Sequence, residues 1–285
     1  MRLFGAMLLG VVLSGVVLMS GSAHAAGPVR SVVEAGPAQI TVLSEGAGPL
    51  VVMLPSRGRD SEDYGEVAAA IAGEGFRVLR PQPRGMLGST GLMARITLHD
   101  LAADVAAVIR AENDGQAVIV GHAYGNWIAR MTAVDSPSLV RGVVLAASAA
   151  KSYPAELSVA VTRSADMSLP EAERRQALQN TFFAPGHDPA PWLTGWHEKA
   201  SRSQREAADR TSQAAWWSGG SVPLLDLQAG NDPFRPAATR GDLRTEFGDR
   251  VSVAVIPNTS HALLPEAPDA VAAGIVGWMR ALPAR

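Results

Sequence analysis

The 285-residue chain contains no cysteine. It is therefore neither a disulfide-stapled scaffold nor a lipoprotein anchored through cysteine. Lysine is nearly missing too: Lys151 and Lys199 are the only two, so arginine carries almost all the positive charge. We read that as a compositional bias without functional content. Lys and Arg total 25 against 27 Asp and Glu, a net charge of −2. That balance gives no electrostatic case for nucleic acid or an anionic membrane surface as a partner. Neither Gly-x-Gly-x-x-Gly nor a phosphate-loop pattern occurs, so no cofactor is expected. His187-Asp188 and His197-Glu198 are too scattered for metal ligands. Aromatic residues make up only 5% of the chain, which gives meaning to any place where they cluster.

Long apolar runs are absent except at the start. Arg2 forms a short positive region, Leu3 to Met19 is apolar with small-residue interruptions, and Ala23-His24-Ala25 supplies the small residues a signal peptidase reads. Residues 1–25 are expected to be a cleaved signal peptide. The alternative is a single membrane anchor, since the run is close to spanning length. On the first reading the mature protein is periplasmic or secreted, with no stable membrane insertion.

What is present is an alternation of strands and helices. Ser31 to Ala35 and Gln39 to Ser44 read as short strands broken by Gly36-Pro37. Leu50 to Leu54 is continuously apolar, as in a strand covered on both faces. A helix is expected from Ser61 to Ala72, a strand at Phe76 to Arg80, and then a loop holding Pro83-Arg84-Gly85. Thr97 with Asp100 is a capping box. Leu98, Leu101, Ala102, Val105, Val108 and Ile109 behind it form one apolar stripe at helical spacing. Strands follow at Ala117 to Val120 and Val140 to Leu145. The alternation resumes with strands at Leu224 to Gln228 and Val251 to Ile256, a helix near Ala237 to Phe247, and a closing helix from Pro268 to Leu282. This is the pattern of a mostly parallel sheet flanked by helices, an α/β fold. From Ala149 to Ser221 the sequence offers polar helical stretches and no convincing strand. The simplest organisation is one α/β core, residues 26–148 and 222–285, with a helical cap at 149–221 inserted after the strand at Val140. Phe182, Phe183, Trp192, Trp196, Trp216 and Trp217 fall in that cap. They serve either an apolar ligand site or the cap's own packing.

Three strand ends carry chemistry. Val118-Ile119-Val120-Gly121-His122-Ala123-Tyr124-Gly125-Asn126 is a buried strand turning sharply into a helix, with small residues around a tight apex. Gly230-Asn231-Asp232-Pro233 ends another strand on a carboxylate. Asn258-Thr259-Ser260-His261 ends a third on a histidine, with Pro265-Glu266-Ala267-Pro268 beyond it. With these motifs in this order, the chain from about Ala38 onward resembles the α/β-hydrolase superfamily, of the single-domain type with a helical lid. The resemblance implies that Asp232 orients His261, that His261 faces residue 123, and that the backbone N–H groups of Tyr124 and Arg57 form an oxyanion site. Family members often carry His-Gly where this chain has Pro55-Ser56. The apex, where that family places its serine nucleophile, is Ala123.

Alanine has no attacking atom. Removing the serine from a working triad costs about a millionfold in turnover, so covalent serine catalysis through residue 123 is excluded. Two readings differ in class. In the first, the His261–Asp232 pair acts as general base on water or a substrate proton of a small, apolar ester or carbonyl compound. In the second, the protein is a catalytically inactive receptor or carrier for a small molecule. A third possibility is attack by Ser56, Ser148 or Tyr124. Arg57, Arg59 and Arg84 are candidates either for anion binding or for ordinary salt bridges. His122 is expected to pack structurally beside the apex.

Overall fold

The computed structural model describes residues 27–112 and 115–283. The signal peptide expected at 1–25 lies outside the described residues. Eight strands form one sheet: β1 (Val29–Ala35), β2 (Ala38–Glu45), β3 (Leu50–Leu54), β4 (Arg77–Pro81), β5 (Ala117–His122), β6 (Val140–Ala146), β7 (Leu224–Ala229) and β8 (Val251–Ile256). Their order across the sheet is β1-β2-β4-β3-β5-β6-β7-β8. The β1–β2 and β2–β4 pairs are antiparallel and every other pair is parallel.

The apolar runs explain the layering. Along β3 and β5 successive side chains point to opposite faces, so one strand feeds two cores. Val52, Leu54 and Ile119 pack with Leu98, Leu101, Val105 and Ile109. These four lie on helix α2 (Leu98–Ala111), which with α3 (Gly125–Asp135) covers that face. Val51, Met53, Val118 and Val120 pack on the other face with residues of α1 (Gly65–Gly73) and α9 (Pro268–Ala281). Continuous apolar runs are what a strand needs when both faces are covered.

Helix α2 starts where the capping box is expected. The Asp100 carboxylate accepts from the Thr97 N–H at 2.8 Å and from its hydroxyl at 2.7 Å. Two other helices differ from expectation. The stretch from Ser61 opens as a 3₁₀ turn, Ser61–Tyr64, before α1 begins. Asp60 caps that turn by accepting from the Glu62 N–H, which favours a tight first turn. The stretch from Ala237 likewise divides into a 3₁₀ turn, Ala237–Thr239, and the short helix α8 (Asp242–Phe247), with Gly241 at the break.

Between β6 and β7 the chain forms α4 (Ala155–Ala165), α5 (Glu171–Thr181), α6 (Glu198–Asp209) and α7 (Gln213–Trp216), and no strand among the described residues. Its aromatic residues divide between two jobs. Phe182, Phe183, Trp192 and Trp196 form a separate cluster, while Trp216 and Trp217 join the core on the α2–α3 face. Arg59, on the loop after β3, bolts the helical segment to the sheet. It is 1% exposed, pairs with Asp63, donates to the Thr194 carbonyl, and lies 4.9 and 4.8 Å from the Trp192 and Trp196 rings. Among the described residues no helix is long and apolar enough to cross a membrane.

Candidate active site

The carboxyl ends of β3, β5, β7 and β8 converge under the helical segment, where a parallel sheet opens its crevice. The turn from β5 into α3 fixes the centre. Ala123 sits at its apex with φ +47°, a left-handed conformation that costs a non-glycine residue about 1–2 kcal/mol. The flanking glycines are required by contact. A Cβ on Gly125 would stand 2.4 Å from the Leu54 carbonyl oxygen, and one on Gly121 would stand 2.4 Å from the Asn126 Cα. The strained apex is held from both sides. The Ala123 N–H donates to the Ala146 carbonyl at 2.9 Å, and the Asn126 side-chain amide donates to the Ala123 carbonyl.

The sequence-selected acid and histidine meet beside this apex, although 29 residues separate them. His261 Nδ1 lies 2.9 Å from Asp232 Oδ2, and both side chains are buried. The other carboxylate oxygen, Oδ1, accepts from the Phe234 N–H at 2.8 Å. A carboxylate acceptor makes Nδ1 the donor, so Nε2 carries the lone pair. Nε2 makes no hydrogen bond among the described residues, and His261 lines the cavity described below. The Phe234 ring lies against the imidazole, 4.1 Å between centroids. The loop is tied to the helical segment at two points. The Ala262 N–H donates to the Phe182 carbonyl at 2.7 Å, and the Glu266 carboxylate accepts from the N–H groups of Ala184 and Ser260.

His122 proves structural, and its bonding shows why. Its Nε2 lies 2.7 Å from the His261 carbonyl and its Nδ1 2.8 Å from the Tyr64 hydroxyl. The Tyr64 oxygen in turn accepts from the Ser56 N–H at 2.9 Å. The carbonyl can only accept, so Nε2 donates and Nδ1 receives the Tyr64 proton, which sets one polarity along the chain. Complete burial, with His261 nearby as a lesser cause, pushes the His122 imidazole down to about 3 and keeps it neutral. This relay joins the loop after β3, the elbow and the histidine loop. Tyr64 and Phe234 thus support the site without having been singled out in the sequence, although Phe234 stands two residues beyond Asp232. Glu266 lay within the Pro265–Pro268 motif with no role assigned to it.

A cavity of about 310 Å³ opens over Ala123. Arg57, Trp127, Tyr153, Phe182, Trp216 and Phe234 form much of its wall, with Ser56, Tyr124 and His261 at the base. The backbone N–H groups of Tyr124 and Arg57 donate to no protein acceptor among the described residues. Of the alternative nucleophiles, Tyr124 is engaged, its hydroxyl donating to the Gln204 carbonyl at 2.8 Å. Ser148 accepts from Arg130 and does not line the cavity. Ser56 does line it. Arg84 is removed from consideration as an anion site by a two-pronged pair with Asp104 at 2.6 and 2.8 Å, and Arg59 by its pair with Asp63. Among the described residues no cluster of three metal-ligating side chains occurs.

A parallel sheet with a strained strand-to-helix elbow, followed along the chain by a strand-end acid and a strand-end histidine, defines the hydrolase class of doubly wound folds. Residues 51–274 match the model of the alpha/beta hydrolase family, and the chain belongs to that family. It is similar to an esterase from Exiguobacterium antarcticum, with a TM-score of 0.75 at 16% identity over 88% of this chain and 100% of that one. A thermophilic esterase from Thermogutta terrifontis, solved with malate bound, gives a TM-score of 0.72 at 20% identity, covering 90% of this chain and 99% of the other. Likenesses at such identities concern the fold. A pyrrolizixenacetamide deacetylase from Xenorhabdus hominickii is 30% identical over 114 residues, which span 40% of this chain and 42% of that relative. Family, fold and neighbours together support a hydrolase-like function.

Proposed function

We propose that the protein is an exported hydrolase-like enzyme that cleaves a small ester or carbonyl compound without a covalent intermediate. Residues 1–25 direct export and residues 149–221 act as its cap. The observation that carries this reading is the buried 2.9 Å contact between His261 Nδ1 and Asp232, with Nε2 unbonded at the cavity base beside Ala123. The alanine leaves the space of a serine hydroxyl, and in this reading the attacking water takes it. His261 Nε2 takes a proton from that water as its oxygen attacks the carbonyl carbon. The developing oxyanion is received by the Tyr124 and Arg57 N–H groups, and the imidazolium, steadied by Asp232, returns the proton to the leaving group. The aromatic wall supplies contacts for the substrate's apolar part.

The test is hydrolysis of a panel of short- and medium-chain aryl esters by the mature chain, Ala123→Ser, His261→Ala and Ser56→Ala. The partial likeness to a deacetylase adds aryl acetamides to that panel. Activity in the unaltered protein that disappears in His261→Ala and survives in Ser56→Ala supports the general-base mechanism. Loss in Ser56→Ala transfers the attack to that serine. Silence in the unaltered protein, with activity gained by Ala123→Ser, refutes turnover and makes the protein a small-molecule binder on a hydrolase scaffold.

A further inference from the structure

One charge in the cavity lacks a partner. The other arginines that are buried are all bonded: Arg59 to Asp63, Arg80 to Glu45, Arg84 to Asp104, Arg235 to Asp226, Arg130 to Ser148 and the Trp217 carbonyl, Arg174 to the Leu193 carbonyl. Arg57 is partly buried and lines the cavity, yet its guanidinium makes no hydrogen bond or ion pair among the described residues. Its Nε is fully enclosed without a partner. Leaving a partly buried cation unpaired is unfavourable, and burial accordingly pulls the Arg57 guanidinium below its ordinary range. The remaining charged groups along the cavity are already matched. Arg205 holds Asp209 through both carboxylate oxygens at 3.0 Å. The cavity therefore carries an uncompensated positive charge on its wall.

We infer that the ligand of this cavity is a carboxylate, bound by the Arg57 guanidinium, with its carbonyl group at the Ala123 apex. This deepens the proposed function and rests on that cavity being the ligand site. The geometry limits the ligand further, because Arg57 contributes at both ends. On the proposed mechanism its backbone N–H serves the oxyanion while its side chain lines the cavity, so carboxylate and reacting carbonyl are separated by no more than one arginine side chain. A short keto acid or the half-ester of a small dicarboxylic acid has that shape. A planar guanidinium offers paired N–H donors that match a carboxylate's two oxygens. The aromatic side chains that line the same cavity take the intervening methylenes.

Binding tests this without turnover. Levulinate and hexane-2,5-dione share a methyl ketone and the same spacing, and differ in a terminal carboxylate against a neutral acetyl group. Their affinities are measured by isothermal titration on the mature protein, on Arg57→Met and on Arg57→Lys, with Trp127 and Trp216 fluorescence as a second readout. A charge-assisted carboxylate contact is expected to favour levulinate by about 10- to 100-fold. Arg57→Met brings the ratio near unity while leaving dione binding in place, and Arg57→Lys keeps a reduced preference. A ratio near unity in the unaltered protein, failure to bind either probe at millimolar concentration, or a preference undiminished in Arg57→Met overturns the inference. The two proposals can fail separately. Hydrolysis of neutral esters without carboxylate preference removes this inference and leaves the dyad. Carboxylate-selective binding without turnover removes the dyad and leaves the inference.

Discussion

Two imidazoles lie 6.0 Å apart in this molecule and stand in opposite surroundings. His122 closes β5 and is wholly enclosed, 0% exposed, between a tyrosine hydroxyl and a backbone carbonyl. His261 sits on the loop after β8 with a carboxylate at one nitrogen and the cavity at the other. Both are buried and both are hydrogen-bonded. Burial alone therefore does not make a histidine catalytic. Without a carboxylate, desolvation holds His122 neutral through the physiological range, and with both nitrogens occupied it is a brace. On the proposed mechanism, a carboxylate acceptor at Nδ1 and an unbonded Nε2 are what let His261 take up a proton. The brace and the working group are nonetheless coupled, because the acceptor of the His122 Nε2 proton is the main-chain carbonyl of His261 itself.

Substitutions can break this contrast. The largest effect is expected from His261→Ala, which should lower hydrolysis of the responsive ester by about 10²- to 10⁴-fold and also cost stability in urea, because it strands the buried Asp232 carboxylate. If stability falls while activity persists, the assignment of tasks is reversed. His122→Ala should act chiefly through stability. It leaves the Tyr64 hydroxyl and the His261 carbonyl unpaired and opens a hole in the packing, so a loss of about 3 kcal/mol is expected in urea unfolding.

Acidification sharpens the same comparison. His122 titrates near 6.5 when unfolded and is pushed down to about 3 when folded. The unfolded chain therefore binds a proton that the native chain refuses. The His122 contribution to stability is complete above pH 6.5 and is lost as the pH falls toward 3, at about 1.4 kcal/mol per unit. Urea midpoints at pH 7, 5 and 4 should decline more steeply in the unaltered protein than in His122→Gln, and parallel curves would refute the neutral brace. The smallest effect concerns the apex between the two histidines. Ala123→Gly relieves about 1–2 kcal/mol of left-handed strain and gives back roughly 0.5–1 kcal/mol in chain entropy. The net change in thermal stability should be stabilising and small, and a clear destabilisation would mean that the Ala123 methyl packs against something essential.

The local parts of this architecture could be read one segment at a time. Leu50–Leu54 and Val251–Ile256 are strands with the bounds expected, because a buried run and its flanking turns are properties of adjacent residues. The Thr97–Asp100 box starts α2 for the same reason. The elbow was legible from Gly121 and Gly125, whose missing side chains answer steric demands within a few residues and against β3. The acid and the histidine were found through their order along the chain in a family resemblance. Their 2.9 Å contact needed the sheet to bring β7 and β8 side by side.

Composition and pattern alone thus determined a doubly wound α/β core, its elbow, and an apex that cannot attack. They did so because period, capping and turn sterics act between near neighbours in sequence. Tertiary structure alone decided which arginines are spent and which is unpaired. The partners of Arg59 are both a helical turn away and 135 residues away, at Asp63 and Thr194, the carboxylate partner of Arg84 is Asp104 on α2, and Arg57 has none among the described residues. It also decided which histidine braces and which faces the cavity. A charged or polar side chain takes its role from what stands across from it in space, and that is settled only when distant segments are packed together.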